Sequence, residues 1–147
     1  DPSVGALGAT GLFLSLLLRY AGLLALPQPV RLPVLLCMPA LGRWAMVSVA
    51  WASPYARSEG GLAAAFLTHL SWQHVLLSSL VLVCALAAGL GVTAAVATMG
   101  MGALVVMIVR RGCRVWFGGV TGDLLGATNE LVELLFLVMI PLLVMAR

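Results

Sequence analysis

Apolar residues run along this chain in five long blocks, separated by short polar, glycine or proline breaks. The blocks cover about Val4 to Leu26, Pro33 to Ala52, Val75 to Leu90, Val92 to Val109 and Asp123 to Ala146. Each comes near the roughly 17–25 residues that a helix needs to cross a bilayer. Pro27-Gln28-Pro29 forces a tight break between the first two, because proline removes a donor and fixes its own φ. Gly89 to Gly91 leaves almost no loop between the third and fourth, which predicts a helical hairpin. Leu62 to His74 is only partly apolar and reads as interfacial or re-entrant, with Trp72 as a headgroup anchor. The expectation is all-α: a polytopic transmembrane helical bundle of about five spans plus that stretch, forming a single membrane-embedded domain over residues 1–147.

Composition agrees with the pattern. The 147 residues are 63% hydrophobic and 9% charged, whereas soluble domains carry about 25% charged residues. The net charge of +3 comes from eight arginines and no lysine, too sparse for a nucleic-acid surface. Cys37, Cys84 and Cys113 lie far apart without a CxxC spacing and read as free thiols. His69 and His74 diverge around a helix and have no nearby carboxylate, so they do not read as metal ligands. Placing Arg110, Arg111 and Arg114 in the cytoplasm puts the Arg57 connection and the Asp1 end there too. Asp1 to Gly5, Ser53 to Gly61 and Arg110 to Asp123 then share one face of the membrane, where a site is expected.

Candidate chemistry concentrates in Gly118 to Glu133, GGVTGDLLGATNELVE. At 100° per residue, Asp123, Gly126, Glu130 and Glu133 fall within roughly 80° of one another, and Asn129 widens that face. Ionisable residues inside a membrane are costly unless they find a partner, an ion or water. The face therefore reads as a divalent-cation site or a proton relay, against the plainer alternative of polar helix packing. Asp123 and Glu130, near the surface, are the candidates for catalysis and for a metal ion. Counting depth at 1.5 Å per residue puts Glu133 and Arg43 roughly level, and they are expected to form a structural ion pair. Arg19 is expected to snorkel to the opposite interface. Gly118, Gly122 and Gly126 form a GxxxGxxxG ladder, read either as close helix packing or as backbone that approaches a ligand, with Thr121 capping the helix. Arg110, Arg111 and Arg114 are either a pyrophosphate clamp or plain topogenic charge, and Arg57 with Glu59 either binds or is a solvated loop.

The acidic stretch resembles the C-terminal signature of the cobalamin synthase family, the adenosylcobinamide-GDP ribazoletransferases. The matching positions are Gly118-Gly119, Thr121-Gly122-Asp123, Gly126-Ala127, and Glu130 with Glu133. Gly42-Arg43-Trp44-Ala45-Met46 and Pro54-Tyr55-Ala56-Arg57, running on to Glu59-Gly60-Gly61-Leu62, resemble further family stretches in the same order. Asp1 to Ala6 resembles another, except that Ser3 stands where the family usually has arginine. The resemblance implies a magnesium-dependent phosphotransferase that joins α-ribazole or its 5′-phosphate to adenosylcobinamide-GDP and releases GMP, in a bacterial or archaeal cell membrane with the active face cytoplasmic. Asp123 and Glu130 would serve Mg²⁺; Arg57, Arg110, Arg111, Thr121, Gly119 and Gly122 would serve the substrate. The partners implied are a corrinoid nucleotide, a ribazole and membrane lipid. The family's Asp-rich N-terminal motif is absent, so the chain reads as the family's C-terminal part and as incomplete alone, with a homo-oligomer or the missing N-terminal part among the expected partners. The alternative from a different class is a transporter or channel subunit with an intramembrane acidic relay.

Overall fold

A computed structural model describes residues 5–53 and 69–145. They form five long helices: α1 (Gly5–Ala25), α2 (Gln28–Trp51), α3 (Trp72–Leu90), α4 (Val92–Gly112) and α5 (Gly122–Met145). All five are long and apolar enough to cross a membrane, and no strand is present among the described residues. The chain is a polytopic helical membrane bundle, as its hydropathy pattern predicts.

Two boundaries differ from the sequence reading, each for a local reason. Helix α2 starts at Gln28 rather than Pro33, because a proline in the first turn sacrifices no intrahelical hydrogen bond. Arg31 then reaches back from this first turn, donating from Nε to Leu26 O (2.9 Å) and from Nη2 to Leu24 O (3.1 Å). It thereby satisfies carbonyls left open at the end of α1. Helix α3 starts at Trp72, with Ser71 and His74 forming a reciprocal capping box, so Trp72-Gln73-His74 is a first turn rather than an interfacial tail. The rest of the stretch expected to be interfacial, up to residue 68, lies outside the described residues, and so do residues 54–61 of the preceding connection.

The helices alternate in direction. Pro33 on α2 lies against Gly89 on α3, and Trp44 Nε1 donates to Ser79 Oγ (2.8 Å), so these two helices are antiparallel. Gly91, at φ +87, is the whole connection from α3 to α4, and only glycine adopts that conformation without strain. Gly5, Ser53, Trp72, Arg110 and Gly122 consequently share one end of the bundle, the polar end. Helix α2 is the hub, packing on α3, α4 and α5. Its buried residues Val34, Leu41, Trp44, Ala45 and Val49 join Leu86, Ala94, Val132, Phe136 and Ile140 in one core. Close approach is permitted where glycine faces bulk: a Cβ on Gly102 would come within 2.9 Å of the Trp44 ring. Helix α1 is peripheral and packs chiefly on α5, running parallel to it. Gly22 sits against Leu137 and Ser15 against Glu130, the same register at both levels.

Candidate functional site

The entry to α5 is built by backbone geometry. After α4, Cys113–Phe117 continues as a short π-helical turn. It is ended by Gly118 at φ +67, whose N–H returns to Cys113 O. Gly119 N–H meets the same carbonyl at 3.2 Å. Val120 is fully buried and anchors the turn. Thr121 then caps the helix, its Oγ1 accepting from Leu124 N–H at 3.4 Å. Asp123 stands exposed in the first turn, where the helix dipole favours a carboxylate.

Two to three turns below this entry, a polar cluster sits between α1, α2 and α5. Its centre is Arg19, whose guanidinium forks across two carboxylates. Nη1 meets Glu133 Oε2 at 2.6 Å, and Nη2 meets Glu130 Oε2 at 2.7 Å. Ser15, one turn before Arg19, donates to Glu130 Oε2 at 3.2 Å. Asn129 Nδ2 donates to Glu133 Oε1 at 2.9 Å. Glu133 is therefore engaged at both oxygens and its side chain is only 6% exposed. Glu130 differs: both its contacts use Oε2 and its side chain remains 51% exposed. A Cβ on Gly42 would overlap Asn129 Oδ1 and lie 2.9 Å from Glu133 Oε1, so glycine there is what lets α2 close over the cluster.

This arrangement corrects two expectations. Glu133 pairs with Arg19 and not with Arg43. Arg43 has the right depth but the wrong azimuth: Gly42 is the residue turned toward Asn129 and Glu133, and one residue further rotates the side chain by 100° onto the exposed surface. Arg19 in turn does not snorkel to the far interface, because Glu130 and Glu133 hold it within the bundle. Sequence inspection missed Ser15 and Arg19 as site residues. The available signal was their four-residue spacing on an otherwise apolar helix, complementary to the three-residue spacing of Glu130 and Glu133.

The remaining candidates divide. Thr121, Gly119, Gly122 and Asp123 lie together at the polar end with the exposed flank of Glu130 below them. A methyl group placed on Gly122 or Gly126 would have nothing within 4 Å, so within the described residues their ladder packs no neighbouring helix. Arg110 and Arg111 are elsewhere. They lie on the face of α4 opposite its buried positions Thr98, Gly102, Val105 and Val106, in a groove with Met107, Arg114 and Val115. Arg57 and Asp1 to Val4 lie outside the described residues. Cys37, Cys84 and Cys113 are free thiols.

No group of three His, Cys, Asp or Glu side chains able to enclose a metal ion occurs among the described residues. Asp123 and Glu130 stand about two turns apart, roughly 10 Å along the helix axis, too far for both to touch one Mg²⁺ at about 2.0–2.1 Å. The donor set does fit the other common mode, in which one carboxylate, several waters and substrate phosphates share the ion.

Comparison with known proteins supplies the family. The model of cobalamin-5-phosphate synthase matches residues 1–141. A protein of Syntrophobacter fumaroxidans called adenosylcobinamide-GDP ribazoletransferase is 40% identical over 93% of this chain and 55% of its own length. Proteins of the same name from Chlorobium phaeobacteroides and Pseudomonas syringae are 35% and 37% identical, over 92% and 97% of this chain and 55% and 58% of their own lengths. The chain thus spans about half the length of the curated relatives it matches. No solved structure matches it.

Proposed function

Because the chain belongs to the cobalamin-5-phosphate synthase family, we propose that it provides the α5 acidic face of an adenosylcobinamide-GDP ribazoletransferase. In that reading a hydroxyl of α-ribazole or its 5′-phosphate attacks the pyrophosphate of adenosylcobinamide-GDP, and GMP departs. Such phosphoryl transfer depends on positioning and on neutralising charge at the phosphoryl oxygens more than on covalent help from the protein. The observation that carries the proposal is the asymmetry of the three acids. Glu133 is closed off by Arg19 and Asn129, while Glu130 is half-exposed below an uncapped glycine surface and Asp123 is fully available at the polar end.

Each residue then has a distinct task. Asp123, which has no partner among the described residues, would hold Mg²⁺, with phosphate oxygens and water completing its shell. When bound, Mg²⁺ supplies Lewis-acid charge neutralisation for the pyrophosphate. Glu130 is oriented by Arg19 and Ser15 and faces the same surface, so it suits water on the ion or the attacking hydroxyl. Gly122 and Gly126 leave backbone, not side chain, at the surface a nucleotide would approach. Thr121 and Gly119 fix the helix entry whose amides point toward phosphate. This face is expected to be cytoplasmic, where both nucleotides and magnesium are available.

The test is Mg²⁺-dependent GMP release from adenosylcobinamide-GDP and α-ribazole in membranes carrying the chain together with the remainder found in its longer relatives. Asp123→Ala should abolish release while leaving the bundle's helicity unchanged. Release that continues at the parent rate in this variant would remove Asp123 from the mechanism.

A further inference from the structure

Three arginines of α4 and its π-helical extension make no hydrogen bond or ion pair with the acidic face among the described residues. Arg110, Arg111 and Arg114 line one groove of about 340 Å³ with Met107 and Val115, a volume in the range of small-ligand sites. The five positions recur every three or four residues and so form a single helical stripe. The residues that α4 buries, Thr98, Gly102, Val105 and Val106, lie on the other side of the helix. The groove therefore opens outward, away from the bundle core.

What surrounds the groove identifies the medium it opens into. Leu104, Met107, Ile108 and Val115 are all exposed along or beside the stripe, and Trp116 is 77% exposed at its end. An apolar band of that kind, ending in tryptophan and arginine, marks the depth where acyl chains give way to headgroups. Among the described residues no acid pairs with these guanidiniums, the ion pairs there belonging to Arg19. Arg110 Nε is enclosed and has no hydrogen-bond partner among the described residues. Arg114 spends one N–H on Ala52 O, at 3.3 Å, which ties the groove to the end of α2 and fixes its floor.

We propose that this groove is a binding site for the phosphate of an anionic phospholipid, with Arg110 and Arg111 gripping the headgroup and Met107, one turn deeper, lying along the upper acyl chain. Forked guanidinium donors match a phosphate diester in two directions at once, whereas a zwitterionic headgroup offers an ammonium that three arginines repel. A soluble pyrophosphate would use the cations but leave the apolar walls without purpose. The site is separate from the acidic face of α5 and does not depend on the reaction proposed for it.

Native mass spectrometry of the full chain in detergent, supplied with equal amounts of phosphatidylglycerol and phosphatidylcholine, tests the assignment. Basic residues at a membrane surface favour anionic lipid by roughly fivefold each, so a preference on the order of 100-fold is expected for three. It should fall to about fivefold in Arg110→Gln/Arg111→Gln. Arg110→Lys/Arg111→Lys, which keeps the charge and loses the fork, should lie between. Circular dichroism checks that the glutamine variant keeps its helices; Arg111 is exposed and the enclosed Nε of Arg110 has no hydrogen-bond partner among the described residues, so the substitutions should leave the helices intact. Equal retention of both lipids by the parent chain would overturn the proposal, and so would an undiminished preference in a helical glutamine variant. A third arm adds millimolar sodium pyrophosphate: displacement of phosphatidylglycerol by pyrophosphate at concentrations well below those of a generic salt effect would reassign the groove to a soluble phosphate and refute the lipid.

Discussion

Replacing Arg19 by Met is predicted to be a severe perturbation. Two carboxylates lose their cation at once, but they do not lose equally. Glu130 is 51% exposed on its side chain, and an exposed pair of this kind contributes about 0–1 kcal/mol. Glu133 is 6% exposed and would keep only its hydrogen bond from Asn129. Removing one partner of a buried pair costs about 3–5 kcal/mol, because the other charge is left desolvated and uncompensated. Arg19→Met should therefore destabilise the bundle by about 3–6 kcal/mol. Glu133→Gln is expected to be milder. Glutamine keeps an acceptor for Asn129, and Arg19 keeps Glu130 as its counter-charge.

The decisive measurement is the double variant. With Arg19→Met and Glu133→Gln together, no buried charge remains, and well-packed apolar or neutral replacement of a buried pair is often close to neutral. Thermal unfolding in detergent, followed by loss of helical circular dichroism, should show the double variant to be at least about 2 kcal/mol more stable than Arg19→Met alone. For a chain of this length that corresponds to roughly 4–8 °C in Tm. If the double variant loses as much as the two single variants added together, Arg19 and Glu133 are not coupled and the cluster does not hold α1 to α5. Repeating the cycle with Arg43 in place of Arg19 should give no coupling, since Arg43 lies on the exposed side of α2.

Three further outcomes follow from the same geometry. Gly42→Ala should cost about 1–3 kcal/mol, because the added methyl displaces Asn129 and Glu133 from a hydrogen-bonded arrangement that has no spare room; unfolding midpoints read this directly. Gly126→Ala should leave stability unchanged or raise it by up to about 1 kcal/mol, since nothing lies within 4 Å and alanine is the better helix former. A drop in GMP release in that variant without a drop in Tm would locate the nucleotide on the glycine surface. Thr121→Ala removes the cap on α5 and should cost about 0.5–1 kcal/mol, at the lower end of such caps because the bond is 3.4 Å long; amide exchange at Asp123 and Leu124 should rise ahead of the rest of α5.

How far the sequence carries depends on which coordinate is asked for. Position along the membrane normal is nearly one-dimensional and follows from hydropathy and the 1.5 Å rise per residue. All five helices, the α3–α4 hairpin at Gly91 and the shared polar end were legible for that reason. The acids divide differently from the depth reading: Glu130 and Glu133 share Arg19 and differ in exposure, while Asp123 stands about two turns away. Azimuth is different, because it depends on which helices become neighbours. Arg43 and Arg19 both lie at a depth from which a guanidinium can reach Glu133, and depth alone favoured Arg43. What decides between them is a pair of facts about contact. Gly42, not Arg43, faces α5, and α1 runs parallel to α5 in a register that sets Ser15 opposite Glu130 and Gly22 opposite Leu137. The same reasoning separates Arg110 and Arg111 from the acids. Their place in the chain, a few residues before Asp123, suggested a shared site, but the side of α4 on which they stand is the one it does not bury. Within α2, Gly42 carries the azimuthal information: its open side closes on α5, and the adjacent Arg43 is turned away from that contact. Glu133 is thereby left in need of another cation, which the lone arginine of α1 supplies.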